Sequence, residues 1–124
     1  MEFKIDTKDT FTVIIPQSGS INANLTGALL QKCEEMRQSG SKNYIIDLRN
    51  CTTIENDAIE SLVGMHEQLY SAEQSIVFTG ISDSILEVLR KEEVHYIINI
   101  APKMQEAIDI ISMEILERDL LSEE

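Results

Sequence analysis

The chain has 124 residues and a formal net charge of −12, with 43% hydrophobic and 26% charged residues. This size and composition are those of one globular domain, and they exclude a disordered chain. The acidic balance disfavours nucleic acid and anionic lipid as partners, and it favours a basic partner or one bound through a specific patch.

No apolar run approaches the ~20 residues that a membrane span needs, and the first residues resemble no signal peptide. We therefore expect a cytoplasmic protein without membrane insertion. The two cysteines, Cys33 and Cys51, and the two histidines, His66 and His95, are too dispersed for a disulfide framework or a metal site. We expect neither a metal nor a cofactor.

The first third of the chain predicts a hairpin followed by a helix. Apolar residues alternate over 3–15, which indicates two short strands, and residues 16–20 are turn formers. Helical spacing over 25–36 predicts the first helix, with Asn22 or Asn24 as its N-cap.

The middle of the chain alternates strands with helices. The β-branched apolar runs 44–48 and 75–79 predict strands buried inside a sheet. Helical patterns over 58–70 and 85–89 follow them, and the apolar run 96–100 predicts a last short strand. This order predicts an α/β fold with a mixed, mostly parallel sheet and about four helices.

The last predicted element is a helix that Pro102 opens in its first turn. We expect its apolar stripe to pack on the sheet, because the core needs that cover, although a second copy of the chain could cover it instead. The acidic residues 119–124 predict a flexible tail. The domain is therefore expected over 1–118.

The sequence offers no catalytic motif. A glycine-rich phosphate loop and a nucleophile elbow are both absent. Cys33 and His66 lie near the apolar stripes of predicted helices, so packing explains them, and His95 has no evident catalytic partner. Cys51, in the loop before the second helix, is the more exposed candidate for a reactive thiol. We expect no enzymatic activity.

The stretch 44–69 carries the clearest motif. A strand ends in Asp47-Leu48, and Glu55-Asn56-Asp57-Ala58-Ile59 opens a helix with Leu62 three residues on. Upstream, Gly19-Ser20-Ile21-Asn22-Ala23 precedes the first helix. The arrangement resembles the STAS domain, the fold of bacterial anti-anti-sigma factors and of the cytoplasmic tails of sulphate transporters. That family shows an Asp-Leu strand end, an Asp-Ser-x-Gly-Leu motif and a Gly-x-Leu-Asp-Ala turn at these places.

The resemblance places Asn56 where anti-anti-sigma factors carry the serine that their partner kinase phosphorylates. Phosphate adds about −1.5 to −2 charges at a helix start and breaks a packed interface. Asparagine has no hydroxyl, so this position cannot be switched in that way. Glu55, Ala58 and Asn22 replace the family's Asp, Gly and Asp. We therefore expect one fixed partner-binding state, or control at another residue.

The resemblance also implies a partner-binding surface at the start of the second helix and the turn before the first. Its expected contact residues are Asn22, Thr53, Glu55, Asn56, Asp57, Ile59 and Glu60. Thr52 and Thr53 are candidate substitute phosphosites. Two other interpretations stay open: Asn56 and Asp57 cap the helix, with Glu60 completing a capping box, or Asp57 imitates a permanent phosphate.

The function implied by the resemblance is a non-catalytic regulatory module that binds a GHKL-type switch kinase acting as an anti-sigma factor, or another regulatory protein. Two alternatives stay open. The chain could be the STAS subunit of an ABC-type membrane transport complex, which co-purification with a transporter would reveal. It could also sense a nucleotide or another small ligand, which a thermal-shift screen would reveal. A homodimer is open as well.

Overall fold

The protein is described by a computed structural model that covers residues 2–122. Its strands are β1 (Phe3–Thr7), β2 (Thr12–Pro16), β3 (Ser20–Ile21), β4 (Asn43–Asp47), β5 (Thr53–Ile54) and β6 (Ser75–Thr79). Its helices are α1 (Ala23–Gln38), α2 (Asp57–Ser71), α3 (Asp83–Lys91) and α4 (Met104–Ser122). The predicted hairpin, the two buried strands and all four helices are therefore present.

The main sheet has the strand order β1-β2-β4-β6. β1 pairs with β2 in antiparallel register, whereas the β2–β4 and β4–β6 pairs are parallel. Every residue of β4 and β6 is buried, as expected for strands covered on both faces. These pairings confirm the predicted mixed, mostly parallel sheet.

The sheet separates two apolar cores, because successive side chains of a strand point to opposite faces. On one face, Tyr44 and Ile46 belong to the larger core, which α1, α2 and α3 cover. On the other face, Ile45 and Val77 pack against Ala107 and its neighbours on α4. The expectation that the last helix covers the sheet is confirmed.

The predicted strand over 96–100 is wrong. Glu93 takes a φ of 59° at the end of α3, and the chain then forms a 3-10 turn at Val94–Tyr96. The run meets the main sheet in a single parallel bridge between Ile100 and Phe78, where the Phe78 N–H donates to the Asn99 carbonyl at 2.9 Å. The apolar run therefore forms part of a turn and one bridge, and its composition does not distinguish this from a short strand.

The last helix differs from its prediction at both ends. It begins at Met104, so Pro102 precedes the helix and does not occupy its first turn. It extends to Ser122, so residues 119–122 of the predicted tail are helical, and residues 123–124 lie outside the described residues.

Candidate functional site

Two short strands bring the turn before α1 against the loop before α2. β3 and β5 pair in parallel, and the Ile21 carbonyl accepts a hydrogen bond from the Glu55 N–H at 2.8 Å. As a result, the first turns of α1 and α2 lie side by side. We call residues 20–24 and 52–60 the helix-start surface.

The Glu55 carboxylate ties the two halves of this surface together. Its Oε2 accepts hydrogen bonds from the Ser20 hydroxyl and from the Asn22 side-chain amide, both at 3.1 Å. The Oδ1 atom of Asn22 accepts the N–H of Leu25 at 2.9 Å, so Asn22 is the N-cap of α1. One amide therefore caps α1 and positions Glu55.

Asp57 makes a second bridge between the two segments. Its Oδ1 accepts the backbone N–H of Ala23 at 3.1 Å. This N–H belongs to the first turn of α1, where amides lack helical partners and a negative charge is favourable. The predicted capping box between Asp57 and Glu60 is therefore wrong: Asp57 caps the neighbouring helix.

Asn56 plays no part in capping. Its backbone is already helical, with φ −59° and ψ −34°, and within residues 2–122 its side chain makes no cap hydrogen bond. The first amides of α2 bond to backbone carbonyls instead: the N–H of Ala58 donates to Glu55 at 3.0 Å, and that of Ile59 to Asn56 at 3.3 Å. The capping explanation of Asn56 is wrong, and its exposed carboxamide faces solvent.

The remaining predicted contact residues also lie on the helix-start surface. Thr53 and Glu60 are exposed, whereas Ile59 is half-buried against the larger core. The Thr52 hydroxyl donates to the Gly19 carbonyl at 3.2 Å. The structure therefore brings all the predicted contact residues together.

The helix-start surface is acidic. It contains Glu55, Asp57 and Glu60, and its two sequence segments hold no lysine, arginine or histidine. Such a surface attracts basic groups and repels phosphate.

A buried carboxylate fixes the start of the loop that leads to this surface. Asp47 is 3% exposed at the end of β4, and its Oδ2 accepts the Arg49 Nε at 2.9 Å. Its Oδ1 accepts the Arg49 backbone N–H at 3.1 Å. Gly80 lies directly opposite, with φ +70°, and a Cβ there would stand 2.4 Å from this Oδ1. Asp47 was predicted as the family's strand end, but the sequence carries no sign that its position depends on Gly80.

Both cysteines are buried and free, which corrects the expectation that Cys51 is exposed. Its thiol donates a hydrogen bond to the Ser18 carbonyl at 3.2 Å, and burial raises its pKa. Burial likewise raises the pKa of Cys33 to about 12. Because the thiolate is the nucleophilic form, neither residue suits a reactive thiol.

A polar cluster between α2 and α4 was not predicted. The His66 Nε2 accepts the N–H of Asn99 at 3.2 Å, and burial lowers the His66 pKa. The Tyr70 hydroxyl donates to Glu114 at 2.6 Å, and its pKa is raised by burial first and by this carboxylate second. His95, half-buried, stacks on Tyr96 instead. The only sequence signal for the cluster was His66 beside an apolar stripe.

Residues 2–122 contain no group of three or more His, Cys, Asp or Glu side chains arranged to hold a metal ion. No helix among them has the length and apolar character required to cross a membrane.

A model of the STAS-domain family matches residues 2–107. The chain belongs to the STAS-domain family. No curated protein matches its sequence.

Several solved structures share the fold of this STAS domain. A Thermotoga maritima protein assigned as an anti-sigma factor antagonist has a TM-score of 0.73 at 13% identity, covering 89% of this chain and 94% of its own. An anti-sigma factor antagonist from Mycobacterium paratuberculosis has a TM-score of 0.72 at 15% identity, covering 90% of this chain and 93% of its own. The anti-sigma factor antagonist SpoIIAA in its unphosphorylated form has a TM-score of 0.66 at 12% identity, covering 90% of this chain and 96% of its own.

Proposed function

We propose that this STAS domain is a non-catalytic regulatory module that binds a protein partner through the helix-start surface. The observation that carries the proposal is the setting of Asn56. Its side chain is exposed and caps no helix, while Glu55 and Asp57 on either side are tied to the turn before α1. A surface ordered before binding loses less conformational entropy when a partner docks.

The partner that fits the family is a GHKL-type switch kinase that acts as an anti-sigma factor. SpoIIAA, an anti-sigma factor antagonist of this fold, has been solved in unphosphorylated and phosphorylated forms. The motif resemblance places Asn56 at the family's phosphorylated serine, and asparagine has no hydroxyl to phosphorylate. Binding here is therefore not switched by phosphate at that residue, and the complex persists where a serine-bearing relative would be released.

Two threonines remain as substitute phosphosites. Thr53 is exposed, and a phosphate there would add charge beside Glu55. Thr52 is also exposed, but its hydroxyl already donates to the Gly19 carbonyl. If phosphate at another residue controls binding instead of a fixed state, Thr53 is therefore the better candidate of the two.

The alternatives differ in what they require of the same surface. A nucleotide or phosphate sensor needs positive charge or a backbone cradle, and the acidic helix-start surface offers no basic side chain. The STAS subunit of a transport complex would use a protein interface too, so the identity of the partner separates it from the kinase proposal. We place the protein in the cytoplasm, where either partner would meet it.

The test compares two arginine substitutions on the same background. Asn56→Arg puts a long cation at the centre of the helix-start surface and breaks no cap. Gln38→Arg makes the same charge change on an exposed residue at the far end of α1, about 22 Å along the helix at 1.5 Å per residue. Each tagged protein is incubated with lysate of the source cell, retained proteins are identified, and the purified partner is titrated by calorimetry.

We expect wild type and Gln38→Arg to retain a histidine-kinase-like ATPase with equal affinity. Asn56→Arg should lose at least about tenfold, because an interface with a misplaced charge costs more than 1.4 kcal/mol. Equal affinity for Asn56→Arg would sink the site assignment. Retention of a transporter ATPase would replace the kinase as partner.

A further inference from the structure

The last helix carries a second apolar stripe, on the side away from the sheet. Ile111 of α4 is fully buried against the sheet. Met113, Leu116 and Leu120 are 62%, 59% and 56% exposed. At 100° per residue they lie about 140° to 200° around the helix from Ile111. α4 therefore buries one apolar face and presents another to solvent.

The spacing of the outer residues distinguishes this stripe from scattered surface leucines. Single exposed apolar side chains are ordinary, but residues 113, 116 and 120 follow the three-then-four spacing of a helix–helix seam. When a helix docks against a groove or another helix, apolar side chains at this spacing make the contacts. We call Met113, Leu116 and Leu120 the outer stripe.

Acidic side chains border the outer stripe. By the same helical geometry, Glu106, Asp109 and Glu117 lie on this side of α4. Arg118 is the only basic residue in the sequence of the helix. It is directed to the other side, where it donates to the Asn43 side chain at the sheet. The outer face is thus apolar at its centre and negative at its rim.

The charge of the rim decides which partner fits. A second copy would set acidic rims against each other between two chains of net charge −12, which is unfavourable. An anionic membrane would be repelled for the same reason. A helix with its own apolar seam and flanking lysines or arginines would bury the outer stripe and pair with the rim.

We propose that the outer stripe of α4 binds a basic amphipathic helix of a protein partner. This surface is separate from the helix-start surface, because α1 and α2 cover the opposite face of the sheet. The domain can therefore hold two proteins at once. The proposal does not rest on the function proposed above, and it survives if that function fails.

The test uses two designed helical peptides of about 18 residues, long enough to form a stable helix. Both carry the same leucine seam at heptad spacing. One has lysine at the flanking positions and the other has glutamate. Binding of each fluorescent peptide to the full chain is followed by anisotropy in 0.15 M salt, and the bound site is mapped by amide chemical shifts.

Two variants of the chain localise the binding. The double variant Leu116→Gln/Leu120→Gln removes two of the three apolar side chains of the outer stripe without touching a buried residue. The matched control, Tyr96→Gln, removes an aromatic side chain that is 81% exposed on the turn after α3. If the circular dichroism spectrum showed that the double variant does not fold, the single variant Met113→Gln would replace it.

We expect saturable binding of the lysine peptide and none of the glutamate peptide. The double variant should bind about tenfold more weakly, from the apolar area lost, while Tyr96→Gln binds as wild type. Equal binding by wild type and double variant would overturn the proposal, since any acidic surface would then suffice. A dimer in sedimentation that the double variant dissociates would also overturn it, with a second copy as the occupant.

Discussion

Gly80→Ala is the substitution whose cost the structure defines most fully. Gly80 follows β6 with φ +70°, a conformation that costs an alanine about 1–2 kcal/mol. The new Cβ would stand 2.4 Å from the Asp47 Oδ1 and 3.1 Å from the Arg49 backbone nitrogen. Asp47 is buried at the end of β4, so its carboxylate can move only by giving up its hydrogen bond to Arg49.

The two costs add. A buried acceptor that loses its partner costs about 1–3 kcal/mol. The free energy of unfolding should therefore fall by about 2–5 kcal/mol in Gly80→Ala. For a chain of this size, the melting temperature changes by roughly 4 °C for each kcal/mol of unfolding free energy, so it should fall by roughly 8–20 °C.

The assay is urea denaturation followed by far-ultraviolet circular dichroism, with linear extrapolation to water. Gly64→Ala is the matched control. Gly64 is exposed within α2, and among residues 2–122 no atom beyond its own helix backbone and chain neighbours lies within 4 Å of a Cβ built there. Removing a helical glycine should stabilise the protein by about 0.5–1 kcal/mol. If Gly80→Ala matched wild type to within about 0.5 kcal/mol, the contact between Gly80 and Asp47 would not constrain the loop.

Three further results should follow from the contacts described above. In Asp57→Ala, hydrogen exchange of the Ala23 amide should accelerate in nuclear magnetic resonance spectra, because its acceptor is gone; unchanged exchange would contradict the bridge. Burial lowers the His66 pKa below 6.5, so the unfolded chain takes up the proton first and the free energy of unfolding should decline as the pH falls below 6.5. In thermal melts above pH 5, His66→Gln should make the free energy of unfolding depend less on pH. An unchanged slope would mean that another group causes the pH dependence. Cys33 and Cys51 should react with a thiol reagent only after urea unfolding, whereas rapid modification of the native protein would contradict their burial.

The sequence was sufficient for elements that a local pattern defines. β4 and β6 each have three consecutive apolar residues at their centre, and burial on both faces is expected for such strands. Asn22 and Asn24 were the two candidate caps because both are asparagines placed before an apolar periodic stretch, and the structure shows that Asn22 is the cap. The fold class then followed from the order of the elements.

Elements defined by distant partners escaped prediction. β3 and β5 have two residues each and exist because they pair with one another, a contact between segments more than thirty positions apart. For the same reason, Asp57 was predicted to cap its own helix, whereas its carboxylate accepts the Ala23 N–H at the start of α1. Cys51 lies in a polar loop, yet folding of that loop over Ser18 buries it. None of these contacts leaves a local pattern.

The candidate site was half predictable. The resemblance to the family supplied the predicted contact residues, and the structure brings them together on the helix-start surface. The two carboxylate bridges that order it, from Glu55 and Asp57, could not be inferred, because acidic residues are abundant throughout the chain.

The most direct test of the proposed function is the mass of two proteins after incubation with the retrieved kinase and ATP. One is wild type and the other is Asn56→Ser, which restores a hydroxyl on the helix-start surface. We expect both to bind the kinase before ATP is added, and only Asn56→Ser to gain one phosphate and dissociate. A phosphate on the wild-type chain at Thr52 or Thr53 would contradict a fixed binding state, and failure of both proteins to bind a kinase would contradict the partner.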